Sequence, residues 1–149
     1  MRKITLTTAE CVYIVMNYNR NKADFNCMKT WDKWKLNKII KAIQPIADEF
    51  TEFKTEQEIA LTTEYSSDDK SHVVIKVVDG EEVRSRKIKG EFIEEYQNAQ
   101  KNLNKELSEV ASKKNEIEIE ELSSEDIFKS VKDDAFTQES IEILSYITE

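Results

Sequence analysis

The strongest constraint on this chain is a pair of matched apolar stripes separated by residues 54–91. The first is Leu36, Ile39, Ile40, Ile43, Ala47, Phe50 and Phe53; the second is Phe92, Tyr96, Ala99, Leu103, Leu107 and Val110. Both step by three and four, the period that puts side chains on one face of a helix. Between them, residues 72–88 alternate about Asp79-Gly80, a dipeptide that tolerates the positive φ values of a type I′ hairpin turn. The pattern predicts two long amphipathic helices joined by a β-hairpin. They should pack antiparallel, with Leu103 in their core, because a hairpin returns the chain to the side it left. Pro45 falls inside the first stripe and removes a helical hydrogen bond. The stripe keeps its phase across it, which predicts a kinked helix rather than two.

The flanking segments add shorter elements. Residues 3–6 alternate weakly, as in a short strand. Thr7-Thr8-Ala9-Glu10 then supplies a capping box, a hydroxyl for orphan amides and a Glu three positions on. Cys11, Ile14, Val15 and Tyr18 form the inward face of the helix that follows, which fades in the Asn-rich residues 17–26. Thr30 is the expected cap of the first long helix, with Asp32 in its first turn where the helix dipole favours a negative charge. The first hairpin strand is apolar on both faces, and the return strand, with Arg84, Arg86, Lys87 and Lys89, has the charge of a protected edge. Gly90 should open the second long helix. Beyond it, Glu116-Ile117-Glu118-Ile119-Glu120 reads as a strand, expected to pair with residues 3–6, since neither is stable alone. Short helices should begin at Ser123 and Thr137, with Ile127, Phe128, Val131, Ile141, Leu144 and Ile147 inside. The expected class is α+β, in a single domain over residues 1–149: two long antiparallel helices, an intervening hairpin, a small sheet from N-terminal and C-terminal-region strands, and short terminal helices.

Composition narrows the functions such a frame can serve. With two glycines and one proline, the chain has little material for phosphate-cradling loops, which need backbone approach without a Cβ. No P-loop, GxGxxG, HExxH or EF-hand spacing is present. His72 is the only histidine, and it stands at the mouth of the hairpin with no serine elbow or catalytic-looking cysteine beside it, the signature of a strand-end residue rather than a general base. Cys11 and Cys27 form no CxxC and cannot make a zinc site without His72; Cys11 falls on an apolar face as a buried free thiol. Glu116, Glu118 and Glu120 would share one strand face and could meet a hard cation. No glycine turn gathers them, so a solvated sheet face is the expectation. No catalytic residue, cofactor or metal site is expected. The first residues carry too few apolar side chains for a signal peptide, and no run has the length to span a bilayer; a soluble protein of a reducing compartment is expected, with no membrane partner.

Charge is unevenly distributed. Residues 1–45 carry nine Lys/Arg against three Asp/Glu, whereas residues 46–149 carry thirteen against twenty-seven. A basic end and an acidic end suit assembly with a charged partner, although solvated helix faces produce the same counts. Within the basic end, sequence and geometry conflict at residues 29–41. At one hundred degrees per residue from Leu36, the core stripe centres near −35° and Trp34 falls near 160°, almost opposite, amid lysines. Three uses compete for Trp31 and Trp34: covering the first helix, anchoring a protein interface, or stacking on bases beside phosphate-neutralising lysines. A pI near 4.9 argues against nucleic acid as the main partner. If the protein works by binding, Trp31, Lys33, Trp34, Lys35 and Lys38 form its contact surface.

The layout resembles a family of small, uncharacterised proteins encoded by tailed bacteriophages, often near tail genes. The likeness covers most of the chain: the strand and capped helix of residues 3–18, the lysine-bearing helix of residues 33–53, a variable central insert, the helix ending in Leu103-Asn104-Lys105-Glu106-Leu107-Ser108-Glu109, and the glutamate-rich strand at Glu116. The basic stretch into the long helix is similar; the tryptophans depart from the pattern. The resemblance offers no catalytic residues to carry over. It implies a non-enzymatic phage protein acting by protein–protein contact, as a minor virion component or in tail or neck assembly, in the host cytoplasm or the virion, with itself or other phage proteins as partners. The alternative is an acidic phage inhibitor whose carboxylates in residues 115–149, eleven acids against two lysines, imitate nucleic acid before a host nucleic-acid-binding or defence protein.

Overall fold

The computed structural model describes residues 1–65, 73–78, 81–86, 93–131 and 133–149. The chain is of the α+β class, with strands β1 (Arg2–Thr7), β2 (Val73–Val78), β3 (Glu81–Arg86) and β4 (Lys114–Ile119) among helices α1 (Thr8–Arg20), α2 (Thr30–Tyr65), α3 (Ile93–Ala111), α4 (Ser124–Ser130) and α5 (Gln138–Ile147). It divides into two compact units, residues 1–50 with 111–149, and residues 51–110. No helix among the described residues is long and apolar enough to cross a membrane.

In the first unit, β1 pairs antiparallel with β4, Ile4 opposite Ile117 and Lys3 opposite Glu118. This is the pairing expected from the two alternating segments. The two-residue period sends Leu6, Ile117 and Ile119 into the core and leaves Lys3, Thr5, Glu116 and Glu118 in solvent. The Thr8 amide extends the ladder to the Lys113 carbonyl at 3.0 Å. The Asn115 side-chain amide donates to the Leu6 carbonyl and to Thr8 Oγ1.

The capping box starts α1 as its residues require: Thr7 Oγ1 accepts from the Glu10 amide at 3.1 Å, and Glu10 accepts from the Thr7 amide at 2.8 Å. Cys11, Ile14, Val15 and Tyr18 are buried with Leu36, Ile39, Ile40, Ile43 and Ala47 of α2 in one core. Leu122, Ile127, Ile143, Leu144 and Ile147 complete it. Ser123 and Thr137 cap α4 and α5 through their hydroxyls. α2 opens one residue earlier than a Thr30 cap would give, with the Lys33 amide on the Lys29 carbonyl and Asp32 in the first turn. It runs through Pro45 as one element.

Between α1 and α2 the chain forms a 3-10 segment, Lys22–Cys27, where the Asn-rich composition predicted only fading helix. Phe25 there is buried against Tyr18 and Phe136. Asp24 gives the segment a second tether: its carboxylate accepts from the Thr137 amide at 3.0 Å and from Ser140 Oγ at 2.9 Å. Asn21 adds a bond to Glu139 at 2.8 Å.

In the second unit, β2 pairs antiparallel with β3, Val78 opposite Glu81. The Asp79-Gly80 turn, His72, Gly90, Phe92 and the side chains of the hairpin lie outside the described residues. On α3, Leu107 is buried while Tyr96, Ala99 and Leu103 are half-buried. Leu103, expected in the core, therefore keeps solvent contact, and the stripe ends Phe53 and Val110 are exposed. The apolar period therefore runs past the residues that are buried.

Two outcomes test these assignments. Leu107→Ala should cost about 2–5 kcal/mol in chemical unfolding, as for a buried leucine, and Leu103→Ala clearly less. Hydrogen bonds from Thr137 and Ser140 hold the Asp24 pKa below its ordinary value. A carboxylate depressed on folding stabilises above its unfolded pKa and loses that contribution as pH falls through the folded one. The difference in urea midpoint between wild type and Asp24→Ala should therefore be full at neutral pH and shrink on acidification below about pH 4.

Candidate functional site

The rotation of α2 is fixed by what it buries. Leu36, Ile39, Ile40 and Ile43 all lie in the core, so residues half a turn away must face solvent. Trp34 is 52% exposed and Trp31 65%. For residues whose large apolar area normally drives burial, these are high values. Both indoles thus keep half or more of their surface in water, as a contact surface requires.

Each indole is held by a lysine one turn on. Lys35 Nζ stands 5.8 Å from the ring centre of Trp31, and Lys38 Nζ 4.9 Å from that of Trp34. Both distances lie within cation–π range, and the i,i+4 spacing of a helix makes the two pairs parallel. The ammonium groups thereby lie over the rings rather than extending away, placing a cation on a face of each indole. Lys33, the fifth residue expected here, lies on the flank and is half-buried. Lys41, one turn beyond Lys38, is exposed on the tryptophan side. What the arrangement can do chemically is bind: it offers cations, π faces and two indole N–H donors, with no nucleophile or base among them.

The remaining candidates resolve differently. Burial, helped by the neighbouring charge of Glu10, pushes the Cys11 thiol up to about 11, so the reactive thiolate is suppressed. Cys27 is exposed, its Sγ donating to the Asp24 carbonyl at 3.0 Å. Glu116 and Glu118 stand on the solvent face of β4, opposite Thr5 and Lys3. Among the described residues, no group of three or more His, Cys, Asp or Glu is arranged to hold a metal ion.

One feature on α1 and α5 has no signature in the sequence. The Tyr13 hydroxyl donates to Glu142, and its ring meets Tyr146 edge-on at 6.2 Å. That hydrogen bond, with lesser effects of burial and neighbouring charge, raises the phenol to about 12. The phenol is thus held protonated as a structural tie. Its partners lie at the far end of the chain, and no local spacing links them.

Comparison of the chain with protein-family models, with curated proteins and with solved structures gives no match.

The exposed geometry makes a direct prediction. Trp34→Ala should change unfolding free energy by no more than about 1 kcal/mol, since it removes one exposed cation–π contact and no core packing. A loss as large as that of a buried aromatic, measured by urea titration, would place Trp34 in the core.

Proposed function

We propose that this is a non-enzymatic bacteriophage protein that works by protein–protein contact through Trp31, Lys33, Trp34, Lys35 and Lys38, as a minor virion component or in tail or neck assembly. The observation that carries the contact reading is the pair of exposed tryptophans on a helix whose opposite face is locked into a core. Indoles left in water gain most when a partner desolvates them, which is why tryptophan is a frequent anchor of interfaces. Holding them on a rigid helix, each under a lysine, lowers the ordering cost of binding. The phage assignment is supported by the resemblance in layout, and the host cytoplasm or the virion is the compartment that goes with it.

The second unit has apolar positions of its own. Half-buried Gln57 and Leu61 of α2 share a phase with Phe50, and α3 offers Tyr96, Ala99, Leu103 and Leu107. In the proposed arrangement α3 packs antiparallel on the α2 residues of the same unit.

A second reading draws on the exposure of Glu116, Glu118, Glu121, Glu125, Asp126 and Asp134, which an acidic inhibitor of a host nucleic-acid-binding or defence protein would use as phosphate substitutes. The two readings separate by salt and by mutation. Tagged full-length protein, co-expressed with the proteins encoded beside it in its genome, should co-elute with one of them. Trp34→Ala should weaken that complex about thirtyfold or more, by the usual size of a tryptophan hot spot. Co-elution indifferent to Trp34 overturns the contact reading. Capture of a purified basic nucleic-acid-binding protein that is lost in high salt and indifferent to Trp34 favours the inhibitor.

A further inference from the structure

Within the unit of residues 1–50 and 111–149, the large apolar side chains left in water fall, Met1 apart, in two places. Over residues 31–41 exposure singles out Trp31, Trp34, Lys38 and Lys41, and the positions between them are buried or half-buried. Over residues 11–18 it singles out Met16, on the side of α1 turned away from Cys11, Ile14 and Tyr18. Met16 follows Tyr13 by three residues, which puts the two side by side along the helix. The Tyr13 ring in turn meets Tyr146 of α5, which is itself exposed.

The two patches carry opposite charge. Residues 29–41 hold five lysines against Asp32. Helix α5 holds Glu139 and Glu142 and no Lys or Arg, and both carboxylates lie close enough to Tyr13 to act on its phenol. Arg20, the one base of α1, stands in its last turn. Among the described residues, neither these five lysines nor Glu139 and Glu142 form a salt bridge within the chain.

We infer that the tryptophan stripe of one molecule binds a second copy of this chain at the patch of Tyr13, Met16, Glu139, Glu142 and Tyr146. The inference rests on the reading of the tryptophan face as a contact surface and names its partner. Each side supplies what the other lacks. Indoles meet a thioether and phenol rings, both favourable neighbours of an aromatic face, and lysines meet carboxylates. The charges steer and orient the contact, while the desolvated indoles hold it.

The same stripe of a second copy is a poor occupant, because it would set five lysines against five. The patch cannot be reached within one molecule either. Helices α1, α2 and α5 bury their other sides in one core, and the ring contacts of Tyr13 and Tyr146 include neither tryptophan. A contact between two different patches is heterologous, so it joins copies head to tail into a ring or an open chain. A contact this small belongs with transient interfaces, and assembly should grow with protein concentration.

Trp31 and Trp34 are the only tryptophans, so indole fluorescence reports the stripe alone. The test uses full-length wild type, Met16→Lys, and a double variant Trp31→Ala, Trp34→Ala, with circular dichroism to confirm that each is folded. Wild type should pass from monomer to larger species as concentration rises in sedimentation velocity, its emission moving to the blue. Each variant alone should stay monomeric, having lost one of the two faces. Mixed, they should form a one-to-one complex and stop there, because Met16→Lys keeps the stripe and the double variant keeps the patch. Titrating the double variant, which has no tryptophan signal, into Met16→Lys should therefore shift the emission to the blue. Adding Lys38→Glu to the Met16→Lys protein should weaken that complex about tenfold or more, since it sets a carboxylate against carboxylates. A wild type that stays monomeric throughout overturns the inference, and if Trp34 still governs co-elution with a neighbour-encoded protein, the contact reading survives it. Assembly that the mixed variants do not halt at a pair overturns the head-to-tail contact. A blue shift with oligo-dT and none with the double variant also overturns it, and gives the stripe to a polyanion.

Discussion

The pairing of β1 with β4 joins residues 2–7 to residues 114–119, and the first unit depends on it. Neither six-residue strand would be stable alone. Together they bury Leu6, Ile117 and Ile119 and fix the start of α1, because Thr7 is at once the last residue of β1 and the N-cap of α1. The far end of the chain is tied to the same place. The Arg2 guanidinium donates to the Ile147 carbonyl and lies 3.7 Å from the Glu149 carboxylate, while the Glu149 amide donates to the Leu122 carbonyl.

How far the fold is legible in the sequence follows from the range of the interactions that make it. Elements set by nearby residues can be read directly: the capping box at Thr7 and Glu10, the alternation at Glu116–Ile119, and the hydroxyl caps Ser123 and Thr137. The β1–β4 pairing can also be read, because two lone alternating segments have no other partner. The 3-10 segment cannot. Its stability comes from Asp24 reaching Thr137 and Ser140, and from Phe25 meeting Phe136, contacts across the length of the chain with no period to announce them. The long stripes are legible as helices, and as core at Leu36, Ile39, Ile40, Ile43, Ala47 and Leu107, but not at their ends. Period shows which side of a helix is apolar; burial depends on how much chain is present to cover it, and Phe53 and Val110 remain in water.

For the candidate surface, the informative signal is a residue in the wrong phase. Leu36, Ile39 and Ile43 set the rotation of α2, so the outward direction of Trp34 follows from helical period alone, and its exposure agrees. The lysine–indole pairs are less visible. Lys35 and Lys38 fold back onto Trp31 and Trp34 by i,i+4 spacing, whereas Lys33 looks equivalent in the sequence and falls on the flank, because phase, more than proximity in sequence, determines membership of a helix face.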